Sequence, residues 1–199
     1  MASALPLPTA AAAARQTVLV VGDSLSAEYG LARGTGWVAL LERRLAEQKR
    51  DVAVVNASVS GDTTSGGRSR LPDLLARHRP TQVILELGGN DALRGLPLAM
   101  TRGNLAAMTG AARAAGASVL LVGMQVPPNY GRQYADDFAA LYASVARAEG
   151  VALVPFLLKG VADVPQSEAL FQPDRIHPNA QAQPTMLDNV WAGLRPLLR

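Results

Sequence analysis

The chain has 199 residues, enough for one domain with a sizeable buried core. Its composition, 49% apolar and 18% charged, excludes a disordered chain; the absence of cysteine excludes disulfides and thiolate chemistry, and no apolar run reaches the ~18 residues of a membrane-spanning helix. The formal charge of +3 is carried by scattered arginines with few aromatics, which argues against a nucleic-acid-binding face but is compatible with mild attraction to anionic lipid headgroups or acyl-CoA phosphates.

Residues 1–16 are Ala- and Pro-rich and lack both a basic n-region and an unbroken apolar h-region. They read as an N-terminal tail: the remnant of a processed signal, a mature tail or an added segment. From residue 17 to 199 no linker or internal repeat interrupts the pattern, so a single domain is expected. Short apolar runs predict strands over Thr17–Gly22, Val52–Asn56, Gln82–Leu87, Ser118–Gly123 and Val151–Val154. Most are continuously apolar, as in a sheet covered on both faces. Amphipathic stretches between them predict helices near Gly36–Gln48, Ser65–His78, Ala99–Ala115 and Tyr134–Glu149. A last helix is expected from Asn179 to Leu197, bent at Pro184. This rhythm implies an α/β fold with a five-stranded parallel sheet between two helical layers, in flavodoxin-like strand order. Sites in such sheets form beyond the carboxyl ends of the strands.

Four polar clusters fall at those ends. The first strand runs into Gly22-Asp23-Ser24-Leu25-Ser26. Alone, Ser24 reads as a helix N-cap, and with Ser26 in the fifth position the G-x-S-x-G elbow of α/β-hydrolases is absent. After the second strand, Gly61 in Ser60-Gly61-Asp62-Thr63 can bring its N–H close to a ligand, although taken alone it reads better as a turn glycine before a helix cap. After the third, Gly88-Gly89-Asn90-Asp91 offers the Asn90 amide as a donor to an oxyanion, or simply an Asx turn. Glu86, inside that strand, reads as a paired structural carboxylate. Near the end, Asp174-Arg175-Ile176-His177 places an aspartate one turn before a histidine, where it can fix the imidazole tautomer and leave Nε2 to take a serine proton. The other histidine, His78, falls at a helix C-terminus, where partial positive charge is favourable. Separately these are ordinary turns and caps; together they supply a nucleophile, backbone and amide donors, and an oriented base. No Gly-rich phosphate loop and no metal-ligand cluster is present, so neither cofactor nor metal is expected.

These blocks resemble the SGNH (GDSL) hydrolase family, and the strings VVNASVSGDTT, ELGGNDALRGLP, PPNYG and IHPN look like its bacterial acyl-CoA thioesterase I, lysophospholipase and arylesterase branch. The resemblance implies a three-layer α/β/α fold. It also implies a Ser24–His177–Asp174 triad, with the Ser24 and Gly61 N–H groups and Asn90 Nδ2 as the oxyanion hole. Arg175 stands where this branch usually carries glycine, which bears on the site mouth. Leu93 and Leu96 after the third strand, and Pro127 and Tyr130 after the fourth, are the expected walls of an acyl groove, with Arg175 beside them. The expected chemistry is hydrolysis of esters and thioesters, with fatty-acyl substrates first and short-chain or carbohydrate-acetyl esters second. A non-catalytic flavodoxin-like binding domain is the alternative outside the enzymes. A periplasmic or secreted location follows from the resemblance.

Overall fold

The computed structural model describes residues 15–126 and 128–198. The tail expectation, apart from its last two residues, and the Pro127 expectation lie outside the described residues. Five parallel strands form one sheet: β1 (Gln16–Gly22), β2 (Val52–Asn56), β3 (Gln82–Glu86), β4 (Ser118–Val122) and β5 (Ala152–Val154). Their order is β2-β1-β3-β4-β5. The sheet thus begins at Gln16, one residue inside the expected tail.

The central strands are apolar because both of their faces are covered. All of β3 is buried, and so are the last five residues of β1. On one face pack α1 (Trp37–Glu47) and α6 (Gln183–Leu194). On the other lie α2 (Thr64–His78), α4 (Leu98–Ala114) and α5 (Arg132–Glu149). Trp37, Phe138 and Tyr142 are fully buried between these layers, where each large side chain contributes about 1.5–3 kcal/mol by leaving water.

Two expectations change. The stretch after β3, read as a pure turn, contains a short helix α3 (Gly89–Leu93) before its loop. The final segment is not one helix bent at Pro184. It is a 3₁₀ turn over residues 180–182, then α6 with Pro184 in its first turn, then a second 3₁₀ turn over 195–197. Proline at that position loses no helical hydrogen bond, because the first N–H groups have no partner in the helix.

The strand order reverses between β1 and β3, so the chain leaves their carboxyl ends in opposite directions and opens a crevice there. The long β1–α1 connection that borders it is ordered by polar ties. Glu28 accepts from the Gly34 and Gly36 N–H groups, at 3.1 and 2.8 Å. The buried Gln183 side chain accepts the Trp37 N–H at 3.0 Å, joining the start of α1 to the start of α6.

Candidate active site

Ser24 lies two residues past β1, on a turn. It does not cap α1, which starts only at Trp37 with Gly36 as its cap. The turn is held from beneath: the Asp23 carboxylate accepts the Leu25 N–H at 3.0 Å, and the Asp23 carbonyl accepts the Ala27 N–H at 2.9 Å. Ser24 therefore stands above the sheet edge instead of entering a helix. Its hydroxyl Oγ is 2.9 Å from His177 Nε2, although 153 residues separate them.

His177 sits in the connection before α6. Its Nδ1 is 2.7 Å from Asp174 Oδ2, and Asp174 Oδ1 accepts the backbone N–H groups of Ile176 and His177, both at 3.0 Å. Burial pushes the Asp174 carboxyl up, but the two amides and the imidazole outweigh it and bring it down to about 2. A carboxylate so held stays charged and accepts a hydrogen bond from Nδ1–H, which leaves the Nε2 lone pair facing Ser24. Arg175 adopts a left-handed backbone, φ 56°, in the middle of this turn, a conformation that suits glycine. Its exposed guanidinium is 3.9 Å from exposed Glu168, a pair of little energetic weight.

The candidate donors expected from the sequence lie on the loops after β2 and β3. Gly61 has φ +78°, a left-handed backbone that glycine takes without strain. Among the described residues, neither the Ser24 nor the Gly61 N–H has a protein acceptor. Asn90 Nδ2 donates to Asp23 Oδ2 at 3.0 Å. An amide has two N–H bonds in a fixed plane, so this contact leaves the second one aimed elsewhere. Leu93 is exposed and Leu96 half-buried on the segment that follows, and Tyr130 is exposed after β4.

The sequence assigns no role to several residues that shape this region, although Asp91, Arg94 and Val59 lie within its recognisable blocks. Arg70 of α2 donates to Asp62 Oδ2 at 2.8 Å, to the Ala57 carbonyl, and to the Gly22 carbonyl at 3.4 Å, tying the β2 loop to the end of β1. Arg94 donates to the Gly61 carbonyl at 2.8 Å. Asp91, fully buried, accepts the Thr64 N–H at 2.8 Å, the Thr64 hydroxyl at 2.5 Å and the Thr101 hydroxyl at 3.2 Å. It thereby seats the start of α2 beside α3. Val59 and Ile176 are exposed apolar side chains on two further loops at this edge.

Beneath the serine lies a buried acid pair. Glu86 is hydrogen-bonded through one oxygen: Oε2 accepts the Ser26 hydroxyl at 2.6 Å and the Asp23 N–H at 3.4 Å. Burial and the neighbouring Asp23 raise its carboxyl well above the ordinary range. Burial likewise lifts Asp23 to about 6, against the opposing pull of the Leu25 amide and Asn90. Among the described residues, no three His, Cys, Asp or Glu side chains converge as metal ligands.

Residues 20–183 match the model of the GDSL-like lipase/acylhydrolase family. The chain is 55% identical to esterase TesA of Pseudomonas aeruginosa, over 94% of this chain and 91% of that protein. It is 43% identical to thioesterase 1/protease 1/lysophospholipase L1 of Escherichia coli, over 98% and 90%. A crystal structure of TesA superposes with a TM-score of 0.88, covering 92% of this chain and all of that one. The chain belongs to the GDSL-like lipase/acylhydrolase family and is a hydrolase of ester bonds.

Proposed function

We propose that Ser24 is the nucleophile, His177 its general base and Asp174 the residue that orients the imidazole, in a hydrolase whose preferred substrates are fatty-acyl esters and thioesters. The observation that carries the catalytic assignment is the continuous chain from Ser24 Oγ to His177 Nε2 (2.9 Å) and from Nδ1 to Asp174 (2.7 Å). In this reading His177 removes the Ser24 proton as the oxygen attacks the acyl carbonyl. The negative charge on the former carbonyl oxygen meets the Ser24 and Gly61 N–H groups and the second N–H of Asn90. The imidazolium then protonates the departing alkoxide or thiolate. Water, deprotonated by His177, attacks the acyl-enzyme; the free acid leaves and Ser24 regains its proton.

The fatty-acyl preference rests on the rim. Val59, Leu93, Tyr130 and Ile176 are exposed large hydrophobic residues on the connections after β2, β3, β4 and β5. They fringe the crevice with apolar surface beyond what a single acetyl group would cover. The thioesterase and lysophospholipase names of the Escherichia coli relative fit the same reading. The residues from Gln16 onward act as one catalytic domain. No helix of the described residues is long and apolar enough to cross a membrane; transient contact with lipid is part of the proposal. A periplasmic or secreted location is proposed from the family resemblance alone.

A graded panel of p-nitrophenyl esters and acyl-CoAs tests the substrate. We expect kcat/KM to rise from acetyl to octanoyl and longer chains. Preference for acetyl would remove the fatty-acyl reading and favour a short-chain esterase.

A further inference from the structure

In the proposed site two edges of the His177 imidazole are occupied, Nδ1 by Asp174 and Nε2 by Ser24. Hydrogen bonds along the ring plane do not stop the imidazole from rocking about that axis, and the connection that carries it lies at the surface. One face of the ring, however, is covered. The Tyr29 ring lies against it with centroids 4.4 Å apart and planes inclined by 38°. Tyr29 is half exposed, so burial of its own surface does not account for its placement.

That placement is built from both sides. The Tyr29 N–H donates to the Ser24 carbonyl at 3.4 Å, and the Tyr29 carbonyl accepts from Gln172 Nε2 at 2.9 Å. The same Gln172 nitrogen donates to the Pro178 carbonyl at 3.2 Å, and the Gln172 N–H donates to the His177 carbonyl at 2.8 Å. Gln172 thus joins the backbone beneath the imidazole to the backbone beneath the tyrosine ring. Gly30 admits it: a Cβ at that position would collide with Gln172 Oε1, and the backbone there is left-handed, φ +68°. Among the described residues the Tyr29 hydroxyl has no hydrogen-bond partner, so the contact belongs to the ring.

We propose that Tyr29 is a positioning residue for His177: its ring braces the imidazole between Asp174 and Ser24 and favours the imidazolium that forms when Ser24 gives up its proton. An aromatic face within about 6 Å of a cation attracts it through the ring quadrupole. The other charged groups that act on the imidazole are Asp174 at Nδ1 and Asp23 below the nucleophile; on the same turn, the Arg175 charge sits against Glu168. This inference rests on His177 being the base.

The test uses the full chain with an acetyl ester too short to reach the rim, and three variants: Tyr29→Leu, Tyr29→Phe and His177→Ala. The chain has only two histidines, so imidazole NMR follows His177 directly, with His78 at the far end of α2 as an internal control. We expect Tyr29→Leu to lower kcat about tenfold with little change in KM. Loss of the aromatic face should also make the His177 imidazolium less favoured, read as a lower titration midpoint than in the wild type. Tyr29→Phe should retain most of the rate and the midpoint. Wild-type kcat and midpoint in Tyr29→Leu, an effect confined to KM, or a Phe variant as impaired as the Leu one would each overturn the inference. An active His177→Ala would instead remove the assignment of the base on which it rests.

Discussion

The two halves of the site are built differently. The half that carries Ser24, Gly61 and Asn90 stands on buried polar groups: Asp23 and Glu86 under the nucleophile, Asp91 under the donor loop, Arg70 between β1 and β2. The half that carries His177 is a surface turn. There Asp174 is exposed, Arg175 sits in a left-handed conformation, and the ordering contacts are local hydrogen bonds plus the Gln172 bridge. In the proposed mechanism the nucleophile and oxyanion donors must hold fixed positions while charge develops, which suits their mounting on the core. The proposed base would alternate between serine, leaving group and water, and its turn is fastened by local hydrogen bonds and the single Gln172 tie to the Tyr29 carbonyl.

The contrast predicts that substitutions in the surface half damage catalysis with little cost in stability, whereas those in the buried half damage stability. The largest effect is expected for Asp174→Asn. An amide can hold the imidazole in the wrong tautomer, and kcat should fall by about 10³–10⁴ with Tm nearly unchanged; steady-state kinetics and a melting curve check both. Next comes Asp91→Ala. It leaves the Thr64 N–H and two hydroxyls without their buried acceptor, a loss of about 3 kcal/mol, or roughly 6–12 °C in Tm. Equal loss of stability in the two variants would break the comparison. The smallest effect sharpens it: Arg175→Gly relieves a left-handed arginine and should stabilise the protein by about 0.5–1 kcal/mol, measurable by urea denaturation.

How far the sequence shows this molecule depends on how local each feature is. The strands are legible because each is a short, mostly apolar run, and their parallel pairing follows from the alternation with helices. The polar blocks are legible because each falls within a few residues of a strand end, where the fold concentrates function. What escapes is what depends on pairs far apart in the chain. Gln172 and Tyr29 are 143 residues apart, and Arg70 is 48 from Gly22. No spacing rule links them. The short helix at Gly89–Leu93 escapes because five residues are too few for a helical period and Gly-Gly-Asn-Asp is strong turn chemistry. Pro184 misleads because a proline bends a helix interior but starts a helix equally well. Arg175 is a departure visible beside the family pattern, but the left-handed backbone that makes glycine the easier residue is visible only in the fold.

The central claim, that Ser24 is a nucleophile activated by His177, is tested most directly by covalent labelling. Wild-type protein treated with a fluorophosphonate should gain one adduct by intact mass, mapped to Ser24 by peptide sequencing. Ser24→Ala should gain none, and His177→Ala should label slower by orders of magnitude while melting at the wild-type temperature. An adduct on another residue, or undiminished labelling of Ser24→Ala, would contradict the account.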